Sequence, residues 1–259
     1  MSIEPTVSKP RGRGVYLLPN LLTTGCLFSG FYAIIAAVDG NFERAGIAIF
    51  AAMLFDTLDG RVARLTSTES AFGKEYDSLA DMVSFGVAPA LVTYQWGVKR
   101  IFEYGLVWGR IGWLAAFFYC ACAGLRLARF NTRTSADKRY FEGLPSPAAA
   151  GIVSAFIWTS SEWHEPGLTG LVIAFLVTAC AGALMVSRFS FNSFKQFNLN
   201  GPVKFATFLI VPLVFVAIAV YPPMTLLVVF GGYAVAGPLS WLYRRLRRSH
   251  RSPPAAPAG

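Results

Sequence analysis

Long hydrophobic stretches recur along almost the whole chain, and short polar segments separate them. Most of these stretches approach the roughly 20 residues that an α-helix needs to cross a lipid bilayer. We predict candidate membrane spans at residues 16–38, 44–64, 75–97, 110–130, 145–161, 167–187, 204–221 and 223–243. Because the fifth stretch is short and interrupted by polar residues, the pattern predicts six to eight transmembrane helices. The expected fold class is therefore all-α, a polytopic integral membrane helix bundle.

Composition supports this class. Hydrophobic residues make up 54% of the 259 residues and charged residues only 14%, a balance typical of membrane proteins and not of soluble domains. We predict a single membrane domain at residues 16–243, because no polar segment is long enough to hold a core of its own. A basic arm at residues 1–15 precedes this domain, and a basic and then disordered tail at residues 244–259 follows it.

Basic residues lie mainly at the ends of alternate spans. Clusters of Lys and Arg precede the first span and follow the second, fourth, sixth and eighth, whereas most of the intervening loops have few. The positive-inside rule then places both termini and the adjoining span ends on the cytoplasmic side. The loop that carries Lys99, Arg100 and Arg110 is the exception. The net charge of +9 is explained by contacts with anionic head groups, and its distribution argues against a nucleic-acid partner.

Four aspartates interrupt the hydrophobic pattern in two short runs. Asp56 and Asp59 are i and i+3, and Asp77 and Asp81 are i and i+4, so each pair projects from one face of its helix. The polar turn between the runs, residues 66–73, is short enough to make the two helices antiparallel neighbours. An unpaired aspartate costs about 2.5–3.5 kcal/mol at the centre of a membrane helix. Since carboxylate oxygens are the ligands that Mg²⁺ and Mn²⁺ prefer, the pattern predicts a divalent metal site.

Small residues and an arginine accompany the first pair of aspartates. Gly60 costs about 1 kcal/mol in a helix relative to Ala, so its place beside the acids indicates close approach of a ligand. Ala63 keeps the same side of the helix open, and Arg64 offers a fork of donors suited to phosphate. Carboxylates, small residues and an arginine together predict a diphosphate site. An acceptor hydroxyl at such a site also needs a general base within hydrogen-bond reach.

Ion pairing is the simpler alternative for these acids. Arg61, Arg64 and Lys74 lie nearby in the sequence and would neutralise one pair of carboxylates. Four acids at this spacing exceed what these bases explain, so the metal site is favoured. Glu75 lies beside the aspartates but off their pattern, and we expect it to be solvated.

The complete segment DTLDGRVARLTSTESAFGKEYDSLAD, residues 56–81, fits D-x2-D-G-x2-A-R-x8-G-x3-D-x3-D at every fixed position. This pattern resembles the signature of the CDP-alcohol phosphatidyltransferase family. The resemblance implies that Asp56, Asp59, Asp77 and Asp81 bind two Mg²⁺ or Mn²⁺ ions, and that Asp81 is also the general base. It further implies a homodimer in the inner or plasma membrane of a bacterium or archaeon, with the site facing the cytoplasm.

The first span begins LPNLLTTG, which resembles the P-N-x-x-T sequence of the family's nucleotide site. Pro19, Asn20 and Thr23 would then face the cytidine, whereas a proline kink with the asparagine bonded to nearby backbone is the alternative. The residues implied in nucleotide and diphosphate binding are Asn20, Thr23, Gly60, Ala63, Arg64, Gly73 and Lys74.

Three stretches outside the motif, CAGLRLARFN, FEGLPSPAAAG and SRFSFNSFK, resemble the integral-membrane phosphatidylserine synthases of this family. The resemblance implies transfer of the phosphatidyl group from CDP-diacylglycerol to the hydroxyl of L-serine, among membrane lipids, with CMP as the second product. Serine carries a carboxylate, so a cationic partner is expected near the metals, although snorkelling arginines at helix ends are the alternative. The candidates for acceptor binding are Arg126, Arg129, Asn131, Ser146 and Arg188.

Other functions stay open at this stage. Glycerol 3-phosphate, inositol phosphate or choline would serve the same chemistry, and the cations at residues 126–139 suit a phosphate as well as a carboxylate. Choline would instead require aromatic side chains. A cation transporter would spread its acids along the membrane depth, which differs from this grouping. A catalytically silent lipid-binding scaffold would have no need for all four aspartates.

Overall fold

The computed structural model describes residues 17–97, 105–132, 141–162, 167–191 and 205–249. The predicted arm at residues 1–15 lies outside these ranges. Of the predicted tail at residues 244–259, the part from residue 250 onward also lies outside them, whereas residues 244–249 are helical. The described helices are α1 (Leu17–Val38), α2 (Phe42–Thr66), α3 (Ala71–Asp81), a π-helical segment (Met82–Val87), α4 (Ala88–Trp96), α5 (Leu106–Thr132), α6 (Ser146–Ser161), α7 (Leu168–Val186), α8 (Phe205–Val220) and α9 (Pro222–Ser249). Two short strands, β1 (Phe141–Glu142) and β2 (Ser190–Phe191), pair antiparallel.

The helices confirm the predicted all-α membrane fold. Each of the eight hydrophobic stretches of the sequence corresponds to helix, and the third contains most of α3, the π-helical segment and α4. Within the described residues, four helical stretches are long and apolar enough to cross a membrane: Leu17–Val38, Ile111–Thr132, Leu168–Val186 and Pro222–Tyr243. The count of six to eight spans stays a prediction, because the remaining helices are shorter or carry more charge.

The connection between α2 and α3 is a tight turn at residues 67–70. Ser67 adopts the left-handed conformation (φ 51°) and its N–H returns to the Arg64 carbonyl, which ends α2. The Ser70 hydroxyl accepts a hydrogen bond of 3.0 Å from the Gly73 N–H and so begins α3. The turn is shorter than the predicted 66–73 because both helix ends are capped. The two helices that carry the aspartates are therefore joined by a short turn, and both pack against α1.

Small residues let the helices around α1 pack closely. Alanines of α1 and α2, among them Ala33, Ala36, Ala45 and Ala52, are buried in one cluster, as is common where membrane helices meet. α6 is the central helix, since 11 of its 16 residues are buried. Its buried residues contribute to both main clusters of the core.

One end of the bundle collects the predicted functional segments. Hydrogen bonds there join the start of α1 to α2, the end of α5 to α3 and to α6, and the segment before α6 to the end of α7. We call this end the aspartate end. It holds the start of α1 and α6 and the last turns of α2, α5 and α7.

The paired strands hold the start of α6 against the end of α7. The Leu144 N–H bonds to the Leu184 carbonyl at 2.9 Å, and the Gly143 N–H bonds to the Phe189 carbonyl at 2.9 Å. Gly143 has φ +83°, and a Cβ on it would collide with the Met185 carbonyl oxygen, so glycine is required here. This contact fixes Ser146, the first residue of α6, at the aspartate end.

Candidate active site

Three of the four predicted aspartates form one group. Asp56 and Asp59 on α2 and Asp77 on α3 each offer a carboxylate oxygen, and these atoms all lie within 4.8 Å of one another. Asp59 is buried, and Asp56 and Asp77 are half-buried. Three carboxylates this close repel one another unless a cation lies between them, so the donor set suits a divalent metal ion.

Asp81 lies at the edge of this group and differs from it. It follows Asp77 by one turn and lies against Asp56, but it is not among the three residues within 4.8 Å of one another. Its Oδ1 atom is buried and has no hydrogen-bond partner among the residues that the structure describes. Such an atom is costly unless a ligand, ion or water satisfies it, which fits both of the roles predicted for Asp81.

Thr23 of α1 contacts the group of three carboxylates. Its hydroxyl lies 2.8 Å from Oδ2 of Asp59 and 3.1 Å from the Pro19 carbonyl, and its side chain is buried. The hydroxyl can donate to either oxygen, and a bond to the carboxylate orients Asp59. The sequence placed Thr23 toward the cytidine, whereas the contact found is with a metal-site carboxylate.

Gly60 leaves an open floor beside the aspartates. A Cβ added there would meet no described atom nearer than Nη2 of Arg64, at 4.0 Å. The Arg64 side chain turns back onto its own helix, and its Nε donates to the Gly60 carbonyl at 2.8 Å. Arg61 and Lys74 are exposed, and Ala63 is half-buried. The arginine thus lies over the open floor, an arrangement suited to a phosphate ligand and less suited to plain ion pairing.

Asn20 and Gly73 meet where α1 and α3 begin. A Cβ on Gly73 would lie 3.1 Å from the Ser70 hydroxyl and 3.4 Å from Oδ1 of Asn20. One turn further along, the hydroxyls of Thr24 and Tyr76 lie 3.0 Å apart. Gly73 therefore lets the start of α3 approach α1 next to the aspartates, at the predicted nucleotide side of the site.

Arg126 approaches Asp81 from α5. Its Nη1 donates a hydrogen bond of 2.7 Å to the Ser146 hydroxyl at the start of α6. Its Nε is buried and lacks a hydrogen-bond partner within the described part of the chain. The charges of Arg126 and Asp81 act on each other, and Tyr233 of α9 lies close enough to interact as well. A cation is thus held beside the candidate base with donor capacity left over.

The other predicted acceptor residues lie in different surroundings. Nδ2 of Asn131 donates to the Ser78 hydroxyl at 2.9 Å, which ties the end of α5 to α3. Arg129 is half-buried on the last turns of α5, and Arg188 is exposed between α7 and β2. The contact of Asn131 with Ser78 therefore connects two helices. Of the predicted acceptor residues, the structure brings the pair Arg126 and Ser146 near Asp81.

Sequence reasoning missed the residues that hold the helix after Asp81. The Tyr119 hydroxyl donates to the Phe85 carbonyl at 3.0 Å, and the Ser84 hydroxyl donates to the Cys26 carbonyl at 3.0 Å. Both bonds reach the π-helical segment that follows Asp81 directly. The available signal was Pro89, since a proline inside a helical stretch leaves a carbonyl without its N–H partner.

Most of the chain is similar in sequence to one family of known proteins. The family model described as CDP-alcohol phosphatidyltransferase matches residues 16–185. The chain is 38% identical over 233 residues to a CDP-diacylglycerol–serine O-phosphatidyltransferase of Helicobacter pylori, which covers 88% of this chain and 92% of that protein. It is 34% identical over 223 residues to the protein of the same name from Mycobacterium tuberculosis, covering 82% of this chain and 74% of that one.

An archaeal protein is also similar. The archaetidylserine synthase of Methanothermobacter thermautotrophicus is 38% identical over 176 residues, which are 67% of this chain and 69% of that protein.

Proposed function

The chain belongs to the CDP-alcohol phosphatidyltransferase family, and on that premise we propose that it transfers the phosphatidyl group of CDP-diacylglycerol to the hydroxyl of L-serine. The products are phosphatidylserine and CMP. The observation that carries this proposal is the place of Asp81, whose carboxylate interacts electrostatically both with the group of three carboxylates and with the guanidinium of Arg126.

Serine is favoured as the acceptor by the relatives and by the site. The bacterial relatives are named for CDP-diacylglycerol and serine, and the archaeal relative is named archaetidylserine synthase. All of these names refer to serine, but the bacterial and archaeal names refer to different lipids. The acceptor is therefore better supported than the chemistry of the lipid tails.

Asp56, Asp59 and Asp77 would bind divalent cations, with Asp81 as a further ligand. We infer Mg²⁺ or Mn²⁺ because the donors are all carboxylate oxygens, and two ions because the resemblance to the family implies that number. When bound, these ions would neutralise the diphosphate and stabilise the charge on the phosphoryl group. Gly60 gives the diphosphate room to approach the backbone of α2, and Arg64 lies where it can donate to phosphate oxygens.

Asp81 acts as the general base. Its carboxylate accepts the proton of the serine hydroxyl, and the serine oxygen forms a bond to the phosphorus on the lipid side of the diphosphate. The bond from that phosphorus to the oxygen of CMP breaks, and CMP leaves. A base is needed because a free hydroxyl ionises far above neutral pH. The Oδ1 atom of Asp81 supports this role, because it is buried and no described residue is its hydrogen-bond partner.

Arg126 binds the carboxylate of serine, and Ser146 orients the guanidinium. A buried cation is unfavourable unless it is paired with an anion and hydrogen-bonded. The hydrogen bond to Ser146 uses one of the donors of Arg126 and leaves Nε for a ligand. A carboxylate on this guanidinium would place the rest of the serine molecule toward Asp81. Arg129, Asn131 and Arg188 stay secondary candidates.

The proposal also covers the nucleotide side of the site, its orientation in the membrane and the oligomeric state. Asn20, Thr23, Gly73 and Lys74 line the nucleotide side, with Thr23 acting through Asp59. The aspartate end faces the cytoplasm, because the described chain has more cations there than at the opposite end. The aspartate end has Arg61, Arg64, Lys74, Arg126, Arg129 and Arg188, and the opposite end has Arg44 and Arg110. The homodimer implied by family resemblance stays a prediction.

The decisive experiment measures CMP release by the purified protein with CDP-diacylglycerol and Mn²⁺ or Mg²⁺. Serine, glycerol 3-phosphate, inositol phosphate and choline are offered separately, and the lipid product is identified by mass spectrometry. Asp81→Asn removes the base. Glu75→Gln is the matched control, because Glu75 is an exposed acid on the same helix.

We expect turnover with serine alone, its loss in Asp81→Asn and its retention in Glu75→Gln. Turnover with a different acceptor would keep the chemistry and overturn the choice of serine. Absence of turnover with every acceptor would favour a silent lipid-binding protein, and equal activity of Asp81→Asn would remove Asp81 from the role of base.

A further inference from the structure

The helix that carries Asp77 and Asp81 changes its winding directly after Asp81. Residues Met82–Val87 are π-helical, and the Ala88 N–H bonds to the Val83 carbonyl, five residues back. Wide turns of this kind are rare and occur often at functional sites. They add about one residue to the helix and so shift the faces before and after them by about 100°. Here the shift allows Asp77 and Asp81 to face the site while α4 buries its own apolar face.

Pro89 gives the physical reason for the wide turn. In a regular α-helix the N–H of residue 89 would bond to the Phe85 carbonyl, but proline has no N–H and its ring clashes with that carbonyl. The Phe85 carbonyl therefore loses its partner inside a helix whose surroundings are apolar. An unsatisfied carbonyl in such a place is costly and needs a donor from elsewhere.

Tyr119 of α5 supplies that donor. Its hydroxyl bonds to the Phe85 carbonyl at 3.0 Å, and its side chain is completely buried. Tyr119 and Arg126 are seven residues apart on α5, so the same helix face holds the wide turn and presents the cation beside Asp81.

Ser84 holds the wide turn from the opposite side. Its hydroxyl donates to the Cys26 carbonyl of α1 at 3.0 Å, and the Cys26 thiol lies 3.5 Å from the same hydroxyl. A Cβ on Gly30 would lie 2.6 Å from the Ser84 Cα, so α1 and the π-helical segment are in direct contact. The turn after Asp81 is thus fastened to α1, which carries Thr23, and to α5, which carries Arg126.

We propose that Tyr119 is a positioning residue for catalysis, whose hydroxyl keeps the π-helical turn open and thereby aims the carboxylate of Asp81 at the acceptor hydroxyl. This inference rests on the proposed role of Asp81 as the base. In this role Tyr119 contacts no reacting atom. It acts through the Phe85 carbonyl and the backbone between residues 81 and 85.

The test compares Tyr119→Phe with Tyr221→Phe in the purified full-length protein. Tyr221 is the matched control, because its hydroxyl also makes a side-chain hydrogen bond, 2.6 Å to Glu162, at the opposite end of the bundle. For each variant we measure kcat, the KM values for serine and CDP-diacylglycerol, the thermal midpoint in detergent, and hydrogen–deuterium exchange of peptides covering residues 79–90.

In Tyr119→Phe we expect kcat to fall about tenfold to a hundredfold, as expected for a displaced reacting group, with both KM values within about twofold of wild type. Exchange should rise in residues 82–88. The thermal midpoint should fall further than in Tyr221→Phe, because the Phe85 carbonyl loses its donor inside the bundle, whereas the Tyr221 hydrogen bond is exposed. Unchanged kcat would overturn the proposal. A parallel change of kcat, both KM values and the midpoint would also overturn it, because that pattern indicates a general loss of structure.

A second variant keeps the proposal testable if Tyr119→Phe folds poorly. Pro89→Ala restores an N–H to residue 89 and allows a regular α-helix to satisfy the Phe85 carbonyl. We expect Pro89→Ala to lower kcat by itself, and Tyr119→Phe to lower kcat less in the Pro89→Ala background than in wild type. Fully additive effects would refute a shared action at the Phe85 carbonyl. If the wild-type protein shows no turnover with serine, the proposed function itself fails, and that result is distinct from any behaviour of the variants.

Discussion

The Thr23 hydroxyl lies 2.8 Å from Oδ2 of Asp59, and the two residues are 36 positions apart on neighbouring helices. Thr23 is buried, so solvent does not replace this contact when it is lost. The first helix carries no aspartate of the motif, but through Thr23 it orients the carboxylate of Asp59. Partners of metal ligands commonly tune affinity in this way.

Thr23→Val is expected to raise the Mn²⁺ concentration needed for half-maximal activity by about tenfold, because Asp59 loses the donor that orients it. Direct Mn²⁺ binding, followed by the electron paramagnetic resonance signal of the free ion, should weaken in parallel. Thr57→Val is the control, since Thr57 is exposed and its hydroxyl donates to the Met53 carbonyl of its own helix. Equal Mn²⁺ affinities of the two variants would show that Thr23 has no part in the metal site.

Gly60→Ala should separate stability from substrate binding. The added methyl group meets no described atom nearer than 4.0 Å, and Ala favours a helix over Gly by about 1 kcal/mol, so the thermal midpoint should stay or rise. The same methyl would occupy the space that we propose for the diphosphate, and kcat/KM for CDP-diacylglycerol should fall by about tenfold or more. Gly232→Ala on the exposed side of α9 has similar room and should leave kcat/KM unchanged. Normal kcat/KM in Gly60→Ala would contradict close approach of the ligand.

Arg126→Gln is expected to raise the KM for serine by about thirtyfold, since removing one partner of a buried charge pair costs about 2 kcal/mol or more. The KM for CDP-diacylglycerol should stay near the wild-type value. Wild-type protein should prefer serine to serinamide, which lacks the carboxylate, and the variant should lose that preference. Arg44→Gln, at an exposed arginine near the start of α2, serves as the control. A retained preference for serine over serinamide would place the carboxylate elsewhere.

Gly30→Ala should destabilise the protein. Its Cβ would overlap the Ser84 hydroxyl and lie 2.6 Å from the Ser84 Cα, so α1 must move away from the π-helical segment. Overpacking of this kind costs about 1–3 kcal/mol, and the thermal midpoint in detergent should fall. Gly231→Ala has no described neighbour within 4 Å of the added atom and should leave the midpoint unchanged. An unchanged midpoint in Gly30→Ala would indicate that the two helices are not in direct contact.

The amino-acid sequence by itself determined the helices and the aspartate group. Hydrophobic stretches of bilayer length determine where helices form, because an unpaired backbone is too costly in lipid. The i, i+3 and i, i+4 spacings determine that Asp56 with Asp59, and Asp77 with Asp81, project from single faces. A short polar turn then joins the ends of the two helices, which places the acids at one end of the bundle.

Only the tertiary structure decided which distant residues serve that group. Thr23 contacts Asp59, Arg126 contacts Ser146, and Tyr119 contacts the Phe85 carbonyl, across separations of 36, 20 and 34 residues. These contacts depend on how the helices rotate and approach one another, and small residues such as Gly30 set that approach. Pro89 illustrates the difference between sequence and tertiary structure. The sequence shows that residue 89 has no N–H, but only the packing of the helices decides that the Tyr119 hydroxyl takes its place as donor. The physical reason is that helix formation follows from local periodicity, whereas the partner of a buried polar atom is chosen by the packing of the whole bundle.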